Sequence, residues 1–186
     1  GHPSTITWLA FTPDGKRIVS SAYDGTVRTW SVADRTLEST LRPEDHAEGI
    51  NAAALSPDGV LVATTGHTEN RLVHVWSLAD HRRLWSSTRP HEQRISWIEF
   101  SPDGRTIASV GPRELYIHDA STGRHLATLF ENIDRPHHLA YTLDGGGLFC
   151  GTATGVITAI RIDEPAPPIW VTPVPDGERC IARSPT

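Results

Sequence analysis

His2, Ser20 and Asp24 are a base, a hydroxyl and an acid, the residue types of a nucleophilic triad. His137 and His138 add two adjacent imidazoles, the side chain that metals most often meet. Either chemistry needs more than residue types. No cysteine or carboxylate stands at ligand spacing from His137 and His138, so no metal is expected there. The sequence also lacks a phosphate-cradling glycine loop, a Walker lysine and a paired-carboxylate arrangement. We expect no catalytic residue and no cofactor. The ten histidines need another explanation, and it comes from the elements that carry them.

Composition narrows the field first. The formal charge is -5 with a pI near 6.0, and the two signs are interspersed. No basic stripe points to nucleic acid, and no cationic amphipathic stretch points to a membrane surface. Cys150 and Cys180 are too few for a disulfide framework, so the core must come from apolar packing. No apolar run approaches the length of a membrane span, and the N-terminus does not resemble a signal peptide. These features lead us to expect a cytoplasmic protein. The chain has no methionine, and Lys16 is its only lysine against many arginines. We therefore expect a segment of a larger protein from a GC-rich bacterial gene.

A four-residue phrase organises the chain. It reads Thr12-Pro13-Asp14-Gly15, Ser56-Pro57-Asp58-Gly59, Ser101-Pro102-Asp103-Gly104 and, more loosely, Thr142-Leu143-Asp144-Gly145. The aspartates are 44, 45 and 41 residues apart, a period that marks a repeat architecture. Proline suits the first central position of a turn, aspartate bonds its own backbone, and glycine tolerates positive φ. β-Branched and aromatic runs flank each turn and predict strands over 5–11, 17–22, 26–32 and 36–41 in the first unit. The second unit predicts 50–55, 61–65, 71–78 and 83–88, and the third 95–100, 106–110, 114–119 and 125–130. The fourth, weaker, predicts 139–142, 147–151, 156–162 and 169–172, with a Pro-rich loop at Glu164 to Pro168 and a hairpin lengthened by Gly145, Gly146 and Gly147. Ser184-Pro185 falls where the next phrase should begin. Four-stranded units of this kind cannot bury their apolar faces alone and must stack on neighbours.

This pattern resembles the WD-repeat (WD40) β-propeller family over essentially the whole chain. His2, His46 and His91 each precede an apolar residue by four positions and a turn aspartate by 12, as the family's opening histidine does. Trp30 and Trp76 match its third-strand tryptophan, although each is followed by serine rather than aspartate. The resemblance implies an all-β protein, a β-propeller of four-stranded antiparallel blades, with about four blades plus the first strand of a fifth. Its repeats would be 1–45, 46–90, 91–131, 132–173 and a partial 174–186. It also implies a structural tetrad of histidine, hydroxyl, carboxylate and tryptophan. His2, Ser20, Asp24 and Trp30 match it fully. In the second repeat His46, Thr64 and Trp76 match, with Asn70 at the aspartate position. In the third, His91 and Ser109 match, with Pro112 for the aspartate and His118 for the tryptophan. In the fourth, Asn132, Cys150, Ala153 and Ala159 leave no tetrad. A serine so placed is a buried bonding partner, not a nucleophile. The other histidines His67, His74, His81 and His125 are expected to be solvated.

What the resemblance implies for function is a non-catalytic interaction scaffold presenting loops to a protein or peptide, with no nucleic acid and no membrane. Further blades from the same or another chain would be needed to close the ring. The rim positions that match the family's partner-binding end are Thr7, Asn51, Ser96 and His137, then Thr5, Gly49, Arg94 and Arg135, then Tyr23 and Glu69. Two alternatives stay open. One is an enzyme-type propeller, lactonase- or quinoprotein-like; the other is the sensor module of a larger bacterial signalling protein.

Overall fold

The structure, a computed structural model, describes residues 1–67, 71–131, 136–153, 155–162 and 170–173. Glu69, Asn70, Asn132, Arg135, the Pro-rich loop, Cys180 and the partial repeat at 174–186 lie outside the described residues. Four separate antiparallel sheets of four strands fill the rest, each in simple up-and-down order. The first holds β1 (Ile6–Phe11), β2 (Arg17–Ala22), β3 (Val27–Ser31) and β4 (Leu37–Leu41). The second holds β5 (Ile50–Leu55), β6 (Leu61–Gly66), β7 (Val73–Ser77) and β8 (Arg83–Ser86). The third holds β9 (Trp97–Phe100), β10 (Thr106–Val110), β11 (Glu114–Asp119) and β12 (His125–Glu131). The fourth holds β13 (Pro136–Tyr141), β14 (Gly147–Thr152), β15 (Val156–Arg161) and β16 (Trp170–Pro173). Apart from a short 3-10 turn at Glu44–His46, the described residues contain no helix.

The recurring phrase closes the first hairpin of every sheet. The Gly15, Gly59, Gly104 and Gly145 amides donate to the carbonyls of Thr12, Ser56, Ser101 and Thr142 at 2.8–2.9 Å, and all four glycines sit at φ between 68 and 76°. Each turn aspartate then accepts the amide two residues on, at Lys16, Val60, Arg105 and Gly146. Gly146 and Gly147 therefore do not lengthen the fourth hairpin: Thr142 pairs Gly147 as Thr12 pairs Arg17. Three strand starts differ from expectation by two residues or more, β7 among them, which begins at Val73 rather than 71. β9 begins at Trp97 rather than 95, and β13 at Pro136 rather than 139, where a strand's first residue needs no ladder amide.

Pairing register makes the sheets superimposable residue by residue. Ser20 lies opposite Leu9 and Arg28, Thr64 opposite Ala53 and His74, Ser109 opposite Ile98 and Tyr116, and Cys150 opposite Leu139 and Thr158. The inner strands touch in sequence, β1 against β5, β5 against β9 and β9 against β13, so the sheets stack face to face like blades. Three apolar clusters fill the three junctions. Val19, Val27 and Leu41 meet Ile50, Ala53, Val62 and Trp76; Ala63 and Val73 meet Ile98, Phe100 and Ile107; Ala108 and Ile117 meet Leu139, Tyr141 and Leu148. Blade 1 is the exception on its other face, where Ile6, Leu9, Phe11, Val32 and Leu37 are exposed. The ring is not closed by these four blades.

Candidate functional site

At one end of each of the first three blades a histidine enters from the segment before the first strand. In blade 1 the Asp24 carboxylate accepts from His2 Nδ1 at 2.9 Å. That leaves Nε2 to accept from the Ser20 hydroxyl at 2.8 Å, while the Trp30 indole donates to the same oxygen at 2.9 Å. Thr26 Oγ1 and the Thr26 amide also donate to Asp24, and Arg28 pairs with it at 3.3 Å. Every polar atom of Ser20 is engaged inside the blade. It is not presented to a substrate.

Blade 2 keeps the hydroxyl and the indole. His46 Nε2 meets Thr64 Oγ1 at 2.8 Å, and Trp76 donates to that oxygen at 2.9 Å. The Nδ1 proton goes to a backbone carbonyl, Asp45 O, at 3.1 Å. His74, expected to be solvated, is buried: its ring packs edge-on against His46 at 5.2 Å, and its Nδ1 lies 2.7 Å from Ser86 Oγ. Desolvation dominates both imidazoles and pushes each down to about 4, so both are neutral near pH 7. The alternation of β7 could have flagged this, since His74 occupies the register of Arg28 rather than a turn.

Blade 3 corrects the expectation most clearly. Its hairpin is one residue shorter than that of blade 1 and has no aspartate, but Glu114 supplies the carboxylate. Oε1 of Glu114 lies 3.0 Å from His91 Nδ1 and 2.8 Å from the Glu92 amide. Glu114 occupies the register of Thr26, so its longer side chain reaches what Asp24 reaches from the turn. Burial pushes the Glu114 carboxyl up and the His91 imidazole down to about 3. Ser109 Oγ then bridges His91 Nε2 at 2.7 Å and His118 Nε2 at 2.9 Å. The order of donors is forced. Glu114 accepts from Nδ1, Ser109 donates to Nε2, and His118 donates to Ser109. His118 Nδ1 is left as a bare acceptor, fully buried and unpaired among the described residues. His125, half-buried, lies 5.8 Å from His118 across the β11–β12 pair rather than in solvent.

Blade 4 has no such network among the described residues. Cys150 is free and buried at the register of Ser20, where burial pushes its thiol up to about 12. By register, Ile160, not Ala159, stands where blade 1 has Trp30. Ala153 is an exposed turn residue. No group of three or more potential metal ligands occurs among the described residues.

The rim positions share one structural device. Thr7, Asn51 and His137 are each the extra residue at a register shift in the first strand pair. Such bulges re-aim a side chain away from the ladder. Ser96 occupies the same level in blade 3 and donates its amide to Val110 O at 2.7 Å. Accessibility then divides the set. His137, Arg94 and Thr5 are exposed, and Tyr23 is 38% exposed with its ring 4.5 Å from that of His67. Thr7 and Asn51 are half-buried and engaged, Thr7 with Ser21 Oγ and Asn51 with the Ile95 carbonyl across the blade junction. Gly49 is buried at φ 112° with the Tyr23 backbone 3.0 Å from where a Cβ would sit, so it seats Tyr23 rather than offering a contact.

Stacked four-stranded antiparallel blades, the first two pinned by histidine–hydroxyl–indole networks, define the class of β-propellers. The chain is similar to the WD40 family: the model of the WD domain, G-beta repeat, matches residues 1–31 and 36–77. Several relatives agree. The small ribosomal subunit protein RACK1 of Neurospora crassa is 28% identical over 86% of this chain and 52% of its own length. An uncharacterized WD repeat-containing protein of Synechocystis, sll1491, is 28% identical over 81% of this chain and 42% of its own length. The ribosome biogenesis protein WDR12 homolog of Chlamydomonas reinhardtii is 34% identical over 50% of this chain and 22% of its own length. The chain thus spans about half the length, or less, of these relatives.

Proposed function

We propose that residues 1–186 are one propeller segment, in repeats 1–45, 46–90, 91–131, 132–173 and 174–186, acting as a non-catalytic scaffold that binds a polar peptide. The observation that carries this reading is the shared level of the rim. Thr7, Asn51 and His137 stand on inner strands and Ser96 just before β9, with exposed Tyr23 and Arg94 in the same set. Tyrosine and arginine dominate binding hot spots, and the mix of aromatic, cationic and polar groups suits a peptide better than a phosphate backbone. Glu69 and Arg135 belong to the same proposed rim. Engagement of Ser20, Thr64 and Ser109 inside their blades supports a scaffold over an enzyme. The names of the ribosomal and ribosome-biogenesis relatives are in keeping with a place in a multi-component assembly.

The test is a screen of displayed polar peptides against the purified chain, followed by substitution. Tyr23→Ala combined with Arg94→Ala should weaken the selected peptide at least about fivefold, roughly 1 kcal/mol, with an unchanged β signal. Loss of binding on changing Arg35 or Arg82 instead would move the site to the opposite end of the blades. Stoichiometric Ca²⁺ or Zn²⁺ in the purified protein would favour the enzyme-type alternative.

A further inference from the structure

Blade 3 departs from blades 1 and 2 at one pair of positions on its outer strands. In all three blades the register shifts just before the third-strand residue that meets the buried hydroxyl, and that residue then lies opposite one on the fourth strand. The pairs are Trp30 with Leu37, Trp76 with Arg83, and His118 with His125. Of the three, only blade 3 carries imidazole at both positions. His118 keeps the task of the indole, since its Nε2 donates to Ser109 Oγ at 2.9 Å. It also brings a second ring nitrogen, which an indole lacks.

Those second nitrogens lack a protein partner. Nδ1 of His118 and Nδ1 of His125 are both shut off from solvent and without a hydrogen bond among the described residues. Buried polar atoms of this kind call for an explanation, and an ion is one. Directly opposed residues point to one face of a sheet, and here the ring centroids stand 5.8 Å apart with planes at 67°. Metal–imidazole bonds are about 2 Å and a ring nitrogen lies about 1 Å from its centroid, so one ion spans rings up to about 6 Å apart. Each Nε2 meets a hydroxyl, Ser109 at 2.9 Å and Thr128 at 3.1 Å. A hydrogen bond at the far nitrogen is what fixes the tautomer of a ligating histidine. Desolvation, the main cause in both, pushes His118 down to about 4 and lowers His125, so the rings are unprotonated near pH 7. The ligand set then decides the class of ion. Two neutral nitrogens carry no charge to balance a divalent cation, and the Arg89 guanidinium on Thr128 disfavours one further. The Glu114 carboxylate is committed to His91 and the Glu92 amide. A univalent d10 ion, by contrast, is satisfied by two nitrogens.

We propose that Nδ1 of His118 and Nδ1 of His125 form a two-coordinate site for a univalent coinage-metal ion, copper(I). The site lies on the outer strand pair of blade 3, so its outcome leaves the rim reading untouched. Silver(I) is the probe, because it shares this coordination and needs no reductant. It is titrated in chloride-free buffer into the full chain carrying Cys150→Ala and Cys180→Ser, which removes the competing thiols, and followed by ¹⁵N NMR of the imidazoles. One equivalent should bind and shift the Nδ1 resonances of His118 and His125 together. His118→Trp and His125→Leu install the residues that blade 1 carries at these positions, and the indole keeps a donor for Ser109. Each variant should retain the β signal and bind silver at least about tenfold more weakly. A chain that takes up no silver, or that takes it up with both Nδ1 resonances unmoved, overturns the proposal. So does unchanged affinity in either variant. If a variant does not fold, the resonances of the intact histidine pair decide the question by themselves.

Discussion

Glu114 holds His91 through a 3.0 Å hydrogen bond to Nδ1, taking over in blade 3 the task that Asp24 performs for His2 at 2.9 Å in blade 1. The two carboxylates come from different places, one from the turn and one from the strand beyond it. What they share is the point in space they reach. A buried imidazole needs partners for both nitrogens, and the fold supplies the second from whichever neighbouring register position is within range.

Glu114→Ala should therefore destabilise the chain by about 2–4 kcal/mol, because it leaves the His91 Nδ1 proton and the Glu92 amide unpaired in a buried setting. Trp30→Ala should cost about 3–5 kcal/mol through lost packing and a lost donor to Ser20. His118 is fully buried, so His118→Ala should also cost about 2–3 kcal/mol. Urea denaturation of the three variants checks all of these values, and a neutral Glu114→Ala would contradict its role.

Stability should fall as pH drops from about 6.5 toward 4. His46, His74 and His118 are pushed down to about 4 and His91 to about 3, all chiefly by desolvation. Across that window the unfolded chain binds protons that the folded chain refuses, so the stability present above pH 6.5 is lost on acidification. The four groups together represent a loss on the order of several kcal/mol. Glu114, raised by burial, acts in the opposite sense above the usual carboxylate range but is a single group. Urea midpoints that stay level between pH 8 and pH 4.5 would show that these imidazoles titrate normally.

Arg35→Gly and His81→Gly should each stabilise the chain by up to about 1 kcal/mol. Both residues sit in the left-handed region, at φ 58 and 56°, in the hairpins that end the third strands of blades 1 and 2. Blade 3 has Gly123 at φ 72° in the corresponding hairpin. Thermal midpoints of the two single variants and the double variant would check the direction and the additivity.

Gly49→Ala should destabilise the chain and displace Tyr23. The glycine has φ 112°, and its Cβ would lie 3.0 Å from backbone atoms of Tyr23, which cannot turn away as a flexible side chain can. A change in Tyr23 fluorescence or in its NMR signal at preserved β content would be the readout. If peptide binding is found, this variant should weaken it by displacing Tyr23.

The sequence by itself determined the architecture, because each blade is built from local rules. The Thr/Ser-Pro-Asp-Gly turns fix hairpins within six residues, and β-branched runs beside them leave few choices of strand. His2, Ser20, Asp24 and Trp30 were legible as a set through the resemblance to the WD-repeat family, whose motif they match in full. Only the tertiary structure decided which neighbour completes each network once a residue is missing. Glu114 replaces an absent aspartate because its register, not its distance in sequence, brings it to His91. His74 is buried because another imidazole and the Ser86 hydroxyl close over it. Thr7, Asn51 and His137 turn at bulges, which are irregularities of pairing between two strands and leave no signature in either strand alone. The same reason separates Leu9 from Ala53: both read as inward residues of an inner strand, and only the presence of a stacked blade makes one buried and leaves the other exposed.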